Sequence, residues 1–259
     1  MKRIILGSIA LIALGMSAPA VAADMPVKAK APPPPIVYDW SGAYVGFNVG
    51  GTWYDVDRFY PNIATADHRV TGNDAIYGFH AGAQWQWGQI VLGVEAALSG
   101  CFRECRSTLQ LPSPPFTTTD VSETKITNLF TVGPRLGYAF DRWMVYGTGG
   151  YAYGAIKATY CSSATNLCGP AGGFLRGDSQ NHGWYAGGGF EYMVHKGPLV
   201  DVILGAEYQH YELDTKKGFC ANASCAPSAL GDWNEKAQGD IVRARLTIKT
   251  QGYGWWGPM

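Results

Sequence analysis

The feature that most limits what this chain can fold into is a period of two. From about Ala43 to Trp53, Ala43, Val45, Phe47, Val49 and Trp53 fall on one face and Tyr44, Asn48 and Thr52 on the other. A second segment, 75–87, sets Tyr77, Phe79, Trp85 and Trp87 against His80, Gln84 and Gln86. A third, 90–99, sets Ile90, Leu92, Val94 and Leu98 against Glu95 and Ser99. Alternation of this kind marks strands with two unlike faces. It returns, with more noise, over 124–140, 143–156, 182–194, 199–212 and 240–250. Eight strands are expected. The turns at 88–89, 141–142 and 195–198 are short, and the loops at 55–74, 100–123, 157–181 and 213–239 are long.

Charge decides which face is which. Glu95, Arg135, Glu191, Glu207, Arg243 and Arg245 all lie opposite the apolar set. A secreted soluble barrel of the lipocalin kind would keep its apolar side inside. Here the apolar side points outward into lipid and the six charges point into the lumen. Beyond residue 23 no run is apolar and long enough for a membrane helix, so a spanning chain must use strands. In lipid those strands must close, because every backbone group needs a partner within the protein. The expected fold is all-β, an eight-stranded antiparallel up-and-down transmembrane β-barrel with long outer loops and short periplasmic turns. Composition agrees. Charged residues make up 15%, against ~25% in soluble proteins, while Gly (34), Tyr (15) and Trp (9) are abundant. Trp40, Trp87, Trp143 and Tyr192 near the short turns, and Trp53, Tyr77, Tyr153, Trp184 and Tyr211 near the long loops, suggest two interfacial belts.

The ends give the address. Lys2 and Arg3 precede an apolar run to about Met16 and a small-residue stretch to Ala23. This is the layout of a secretory signal peptide, and the run falls short of the roughly 18 residues a spanning helix needs. Residues 1–23 are read as the signal. Cleavage after Ala22 starts the mature chain at Ala23, and cleavage after Ala23 starts it at Asp24. Residues 24–39 hold four consecutive prolines, Pro32 to Pro35, and read as a periplasmic tether. The barrel is expected over 40–250 and an aromatic tail, with Trp255 and Trp256, over 251–259. Lys2 and Arg3 leave with the signal, so the 20 basic residues fall to 18 against 20 acidic. That balance excludes a basic nucleic-acid surface.

An eight-stranded barrel is narrow enough for side chains to fill. Three acids and three bases inside can hold one another as a network, whereas unpaired charges there would be costly. The six cysteines form three close pairs: Cys101 with Cys105, Cys161 with Cys168, and Cys220 with Cys225. Each pair lies in a different expected long loop. Six cysteines allow 15 connectivities, and loop position favours the three local disulfides in an oxidising compartment. No His stands at ligand spacing from any pair, so no metal site is expected. Ser179, beside Asp178 and close to His182, is a cluster to check for hydrolase geometry, with His68 and His210 also near the rim. Sequence proximity alone makes no triad. The chain is read as a non-enzyme without cofactor.

The segment Trp40-Ser41-Gly42-Ala43-Tyr44-Val45-Gly46-Phe47-Asn48-Val49-Gly50-Gly51 resembles the opening strand of the small outer-membrane proteins of alphaproteobacteria, the outer-membrane immunogenic or porin-family proteins with an OmpA/OmpX-like eight-stranded barrel. The Ala-Asp near the mature start, the proline tether, Tyr146-Gly147-Thr148-Gly149-Gly150 and the Arg243-containing last strand resemble it too. The resemblance implies a surface antigen of the outer membrane, in contact with lipid and lipopolysaccharide and inserted by the barrel-assembly machinery. It implies a structural role in envelope integrity, with Ala23 as an attachment point to peptidoglycan. The family label suggests a narrow ion channel as the second reading, and a lipid-modifying enzyme is the third. Members usually stop at a terminal Phe closing the last strand; here the chain continues past Thr250 to Met259.

Overall fold

The computed structural model describes residues 38–60, 67–110, 120–162, 175–218 and 233–250. Nine antiparallel strands run through them: β1 (Gly42–Phe59), β2 (His68–Trp87), β3 (Ile90–Cys101), β4 (Arg106–Gln110), β5 (Asp120–Phe140), β6 (Trp143–Ser162), β7 (Leu175–Lys196), β8 (Val200–Gly218) and β9 (Trp233–Thr250). β1 pairs with β2 on one side and with β9 on the other, and β3 pairs with β5. Eight strands thereby form a closed ring, β1-β2-β3-β5-β6-β7-β8-β9. The ninth, β4, is a short piece that pairs with the outer part of β5 beyond the end of β3. Closure leaves the ring no free edge, which is what lipid demands of a sheet.

Around the membrane level the faces divide as the alternation requires. Val45, Phe79, Leu92, Val94, Leu136, Phe190, Leu204 and Leu246 are exposed outward, while Asn48, His80, Gln84, Glu95, Arg135, Glu207 and Arg245 are buried inward. Farther out the assignment exchanges. Val56, Val70, Ile126, Ile156, Leu213 and Ala237 are buried inside, most of them in one apolar cluster with Tyr54 and Ile241. Asp55, Asp57, Arg69, Lys125, Lys157 and Lys236 stand on the outside. The barrel has two storeys. The lower is polar at mid-lumen and oily without, suited to lipid; the upper holds an apolar layer within, topped by the buried Arg58 and Glu235, and is polar without, suited to water.

That exchange corrects the loops. The segments 55–74, 100–123, 157–181 and 213–239 are not loops throughout, since the strands continue into each of them. Alternation persists there, but the apolar residues have moved to the inner face. A reading that followed the lipid-facing side lost each strand where lipid ends.

Two belt residues are also corrected. Trp40 is fully buried and Tyr211 is 3% exposed, so neither meets lipid. Tyr211 has the inward parity of Ile203 and Glu207 on β8. Trp53, Tyr77, Trp87, Trp143 and Trp184 are exposed on the outer face. Tyr192 is half-buried against Trp143, with ring centroids 4.6 Å apart. Inside, five buried strand tyrosines each lie directly across from a glycine: Tyr44 from Gly82, Tyr54 from Gly72, Tyr146 from Gly189, Tyr185 from Gly150 and Tyr211 from Gly239. At Gly72, Gly82, Gly189 and Gly239 the missing side chain leaves space that the facing ring occupies.

Candidate functional site

The lumen is the candidate site, and it is filled at three levels. At the middle level β3, β5, β7, β8 and β9 bring together the six charges. Arg245 holds Glu95 with two donated hydrogen bonds, Nη1 to Oε1 at 2.8 Å and Nη2 to Oε2 at 2.6 Å. It also contacts Glu207 and stands 3.6 Å from Glu191. Arg135 reaches Glu191 at 2.7 Å and Glu95 at 3.3 Å. Arg243 reaches Glu207 at 2.5 Å. Tyr44 and Tyr146 donate their hydroxyls to Glu95 and Glu207 at 2.8 and 2.6 Å. The Arg135 guanidinium lies 3.7 Å over the Tyr146 ring. Side-chain exposure across these six residues does not exceed 5%. Three guanidiniums against three carboxylates leave this level of the lumen without net charge, which is how charge survives away from water.

The outer level holds a second set. Arg58 donates to Glu235 at 2.7 Å, to Ser122 at 2.7 Å and to Thr124 at 2.7 Å. Ser179 donates to Glu235 at 2.5 Å. At the periplasmic level Lys249 pairs with Asp201 at 2.9 Å and donates to the Ser41 carbonyl at 2.9 Å. Beside them sits Trp40. Its backbone N–H donates to Gln86 at 2.7 Å, its carbonyl accepts from Gln84 at 2.7 Å, and its ring joins Val91, Ala139, Met144, Met193 and Ile203. Just before it, Tyr38 accepts from Arg142 at 2.6 Å. The residues just before β1, Tyr38 to Trp40, are thus folded into the periplasmic mouth of the barrel. A void of about 20 Å³ lies between the charged and apolar levels, lined by Thr52, Ile76, Ser99, Ile126, Tyr211 and Ile241.

Arg58, Glu235, Asp201 and Lys249 were not among the expected lumen charges. The signal for them was parity. Lys249 continues the Arg243, Arg245, Thr247 face, Asp201 that of Ile203 and Glu207, and Arg58 that of Asn48 and Thr52.

Of the three expected disulfides, one falls among the described residues. Cys101 and Cys105 are joined, with Cα atoms 5.3 Å apart. Asp74 secures this turn by accepting from the N–H groups of Arg103 and Cys105 at 3.0 and 3.1 Å. Beside it Glu104 takes the Lys125 ammonium at 3.0 Å. That contact, with Arg106, holds the Glu104 carboxyl below the usual carboxylate range. The expected bond of Cys161 to Cys168 cannot be placed, because Cys168 lies outside the described residues and only the backbone of Cys161, in β6, lies within them. The expected bond of Cys220 to Cys225 falls wholly outside them, as Cys220 and Cys225 both do. So do the signal, Ala23, most of the tether and the tail with Trp255 and Trp256.

The hydrolase cluster does not assemble. Ser179 is buried in the lumen, whereas His182 is exposed on the other face of β7 and contacts Tyr151. His68 lies 3.3 Å from Ser122 at the outer level, and His210 lies outside, 2.9 Å from Asp240.

The family model of the outer membrane protein beta-barrel domain matches residues 8–235 of this chain. A 31 kDa outer-membrane immunogenic protein of Brucella melitensis is 32% identical over 226 residues, covering 82% of this chain and 88% of that protein. Among solved structures, Ail of Yersinia pestis in complex with the heparin analogue sucrose octasulfate is similar with a TM-score of 0.37. It is 12% identical and covers 79% of this chain and 99% of that one. The outer membrane protein OprG of Pseudomonas aeruginosa is similar with a TM-score of 0.41. It is 13% identical and covers 81% of this chain and 95% of that one. By the extent of the family match and the identity to the Brucella protein, this chain belongs to the outer membrane β-barrel proteins and resides in the bacterial outer membrane.

Proposed function

We propose that the protein is a closed, non-conducting barrel that supports the envelope mechanically. It joins the outer membrane to the layer beneath through its N-terminal tether and holds a stiff, disulfide-pinned extension outside. The observation that carries this reading is the pairing of all six mid-lumen charges with one another at side-chain exposures of 5% or less. A conducting path needs water along its length. The void of about 20 Å³ between the charged and apolar levels has room for one or two waters at that height, when one water needs roughly 10–15 Å³. Trp40 and the Lys249–Asp201 pair obstruct the periplasmic end as well. Burial of Trp40 also gives the tether a mechanical purchase, since a pull on residues before it is delivered to the barrel wall. By the family resemblance, Ala23 is the residue joined to peptidoglycan. No catalysis belongs to this reading.

Planar-bilayer recording on folded protein tests the closed lumen. No discrete conductance steps are expected, and reproducible steps would establish the channel instead. Mass spectrometry of muropeptides tests the tether. A peptidoglycan fragment on Ala23 is expected, and an unmodified mature N-terminus would remove the anchoring role.

A further inference from the structure

The periplasmic end carries a cation that the fold leaves without a carboxylate. Arg142 stands in the short turn between β5 and β6, after Asp141 in the left-handed region at φ 55°. Its guanidinium donates from Nε to the Tyr38 hydroxyl at 2.6 Å and from Nη1 to the Tyr192 hydroxyl at 3.4 Å. Both partners are phenols, which carry no charge at neutral pH. Among the described residues Arg142 makes no ion pair, and its Nη2 makes no hydrogen bond. Asp39, the acid beside Tyr38, instead accepts from the Ser41 N–H at 2.8 Å. Lys196 brings a second cation to the same ring: the Arg142 Cζ lies 5.2 Å from the Tyr38 centroid and the Lys196 Nζ 5.5 Å. A ring attracts cations without neutralising them.

Height fixes what is near. Trp143, the next residue, is exposed on the outer face, with its ring 4.6 Å from that of Tyr192. Amphipathic rings of this kind settle at the membrane–water boundary with their polar tips toward water. Arg142 is bonded to the tip of one of them, so its remaining donors stand at the level of the inner-leaflet headgroups. The group a guanidinium fits there is phosphate. Its planar fork matches two phosphate oxygens, whereas an ammonium supplies point charge alone.

We propose that Arg142, with Lys196 beside it, takes the phosphate of an anionic phospholipid of the inner leaflet, and that the bound lipid holds Tyr38 in the periplasmic mouth. A phosphate on Nη2 fixes the plane of the guanidinium, and Nε then stays on the Tyr38 hydroxyl. The residue that fastens the chain just before β1 thereby also responds to the lipid around it. This inference stands apart from whether the lumen conducts or Ala23 is anchored.

The test uses the whole chain folded into phosphatidylcholine vesicles, with folding checked by heat-modifiable migration on gels. Phosphatidylglycerol is titrated into one set of vesicles, and inorganic phosphate is added to another. The thermal unfolding midpoint and the rate of chymotrypsin cutting near residue 38 are both followed. Phosphatidylglycerol is expected to raise the midpoint and slow the cutting, and inorganic phosphate to do neither. Arg142→Gln should need about fivefold more phosphatidylglycerol for half of either effect, the size expected for one cation at an anionic surface. Tyr38→Phe keeps the cation and loses the accepting hydroxyl, so its midpoint should respond like that of the unaltered protein while its cutting no longer slows. Arg103→Gln alters an exposed arginine of the outer turn and should behave like the unaltered protein in both. The proposal is overturned by no response to phosphatidylglycerol, by an equal response to inorganic phosphate, by an Arg103→Gln loss as large as that of Arg142→Gln, or by cutting of Tyr38→Phe that still slows.

Discussion

Arg245 and Glu95, 150 residues apart in the chain, face each other across the lumen through two parallel hydrogen bonds of 2.8 and 2.6 Å. β9 and β3 are not neighbours in the ring, so this pair is a strut across the barrel and not part of its wall. Replacing Glu95 by Gln leaves Arg245 and Arg135 short of a carboxylate. It should destabilise the folded barrel by about 3–5 kcal/mol, as breaking a buried ion pair does. Urea unfolding in lipid vesicles, followed by Trp fluorescence, measures it. The double variant with Glu95→Gln and Arg245→Gln should cost less than the sum of its singles, because the second change removes the stranded charge.

Trp40 should behave as a core residue despite lying outside the strands. Trp40→Ala removes a fully buried ring from the cluster with Val91, Met144 and Ile203. A loss of about 3–5 kcal/mol is expected. Limited proteolysis should also cut near Tyr38 faster. A variant as stable as the parent would show that the mouth does not depend on this plug.

Gly82→Val places a branched side chain where the Tyr44 ring lies. A Cβ at Gly82 would stand 2.5 Å from the Tyr44 hydroxyl oxygen and 2.5 Å from the Val94 carbonyl. Tyr44 also supports Glu95, so the clash reaches the charge network. The expected cost is about 1–3 kcal/mol, typical of overpacking, read as a lower urea midpoint. Gly147→Ala is a useful contrast and should leave the urea midpoint nearly unchanged, since the atom nearest a Cβ there is the Gly187 carbonyl oxygen at 3.9 Å.

Where lipid imposes one rule, the sequence could be read. Phe79, Leu92 and Leu204 outward and Glu95, Glu207 and Arg245 inward follow from strict alternation against a uniform solvent. Reading failed where the solvent changes. Val56 and Leu213 keep the two-residue beat but face inward, because water has replaced hydrocarbon outside. Arg58 and Lys249 were hidden for a related reason, each lying toward the end of its strand, where the lipid-facing signal weakens. Trp40 was illegible on other grounds. Its partners Gln84, Gln86 and Met193 come from remote segments, and no local pattern foretells that meeting. Tyr211 was legible and misread, since its height in the barrel was weighed ahead of its parity.

The seam between β1 and β9 has a consequence for biogenesis. Tyr44 lies opposite Lys249, so the opening segment cannot find its second neighbour until nearly the whole polypeptide has been made and delivered. Contacts this distant along a chain form slowly, and an unclosed ribbon keeps both margins open to wrong partners. Until β9 arrives, β1 and β8 each keep one unpaired margin, so closure of the ring waits on the last strand.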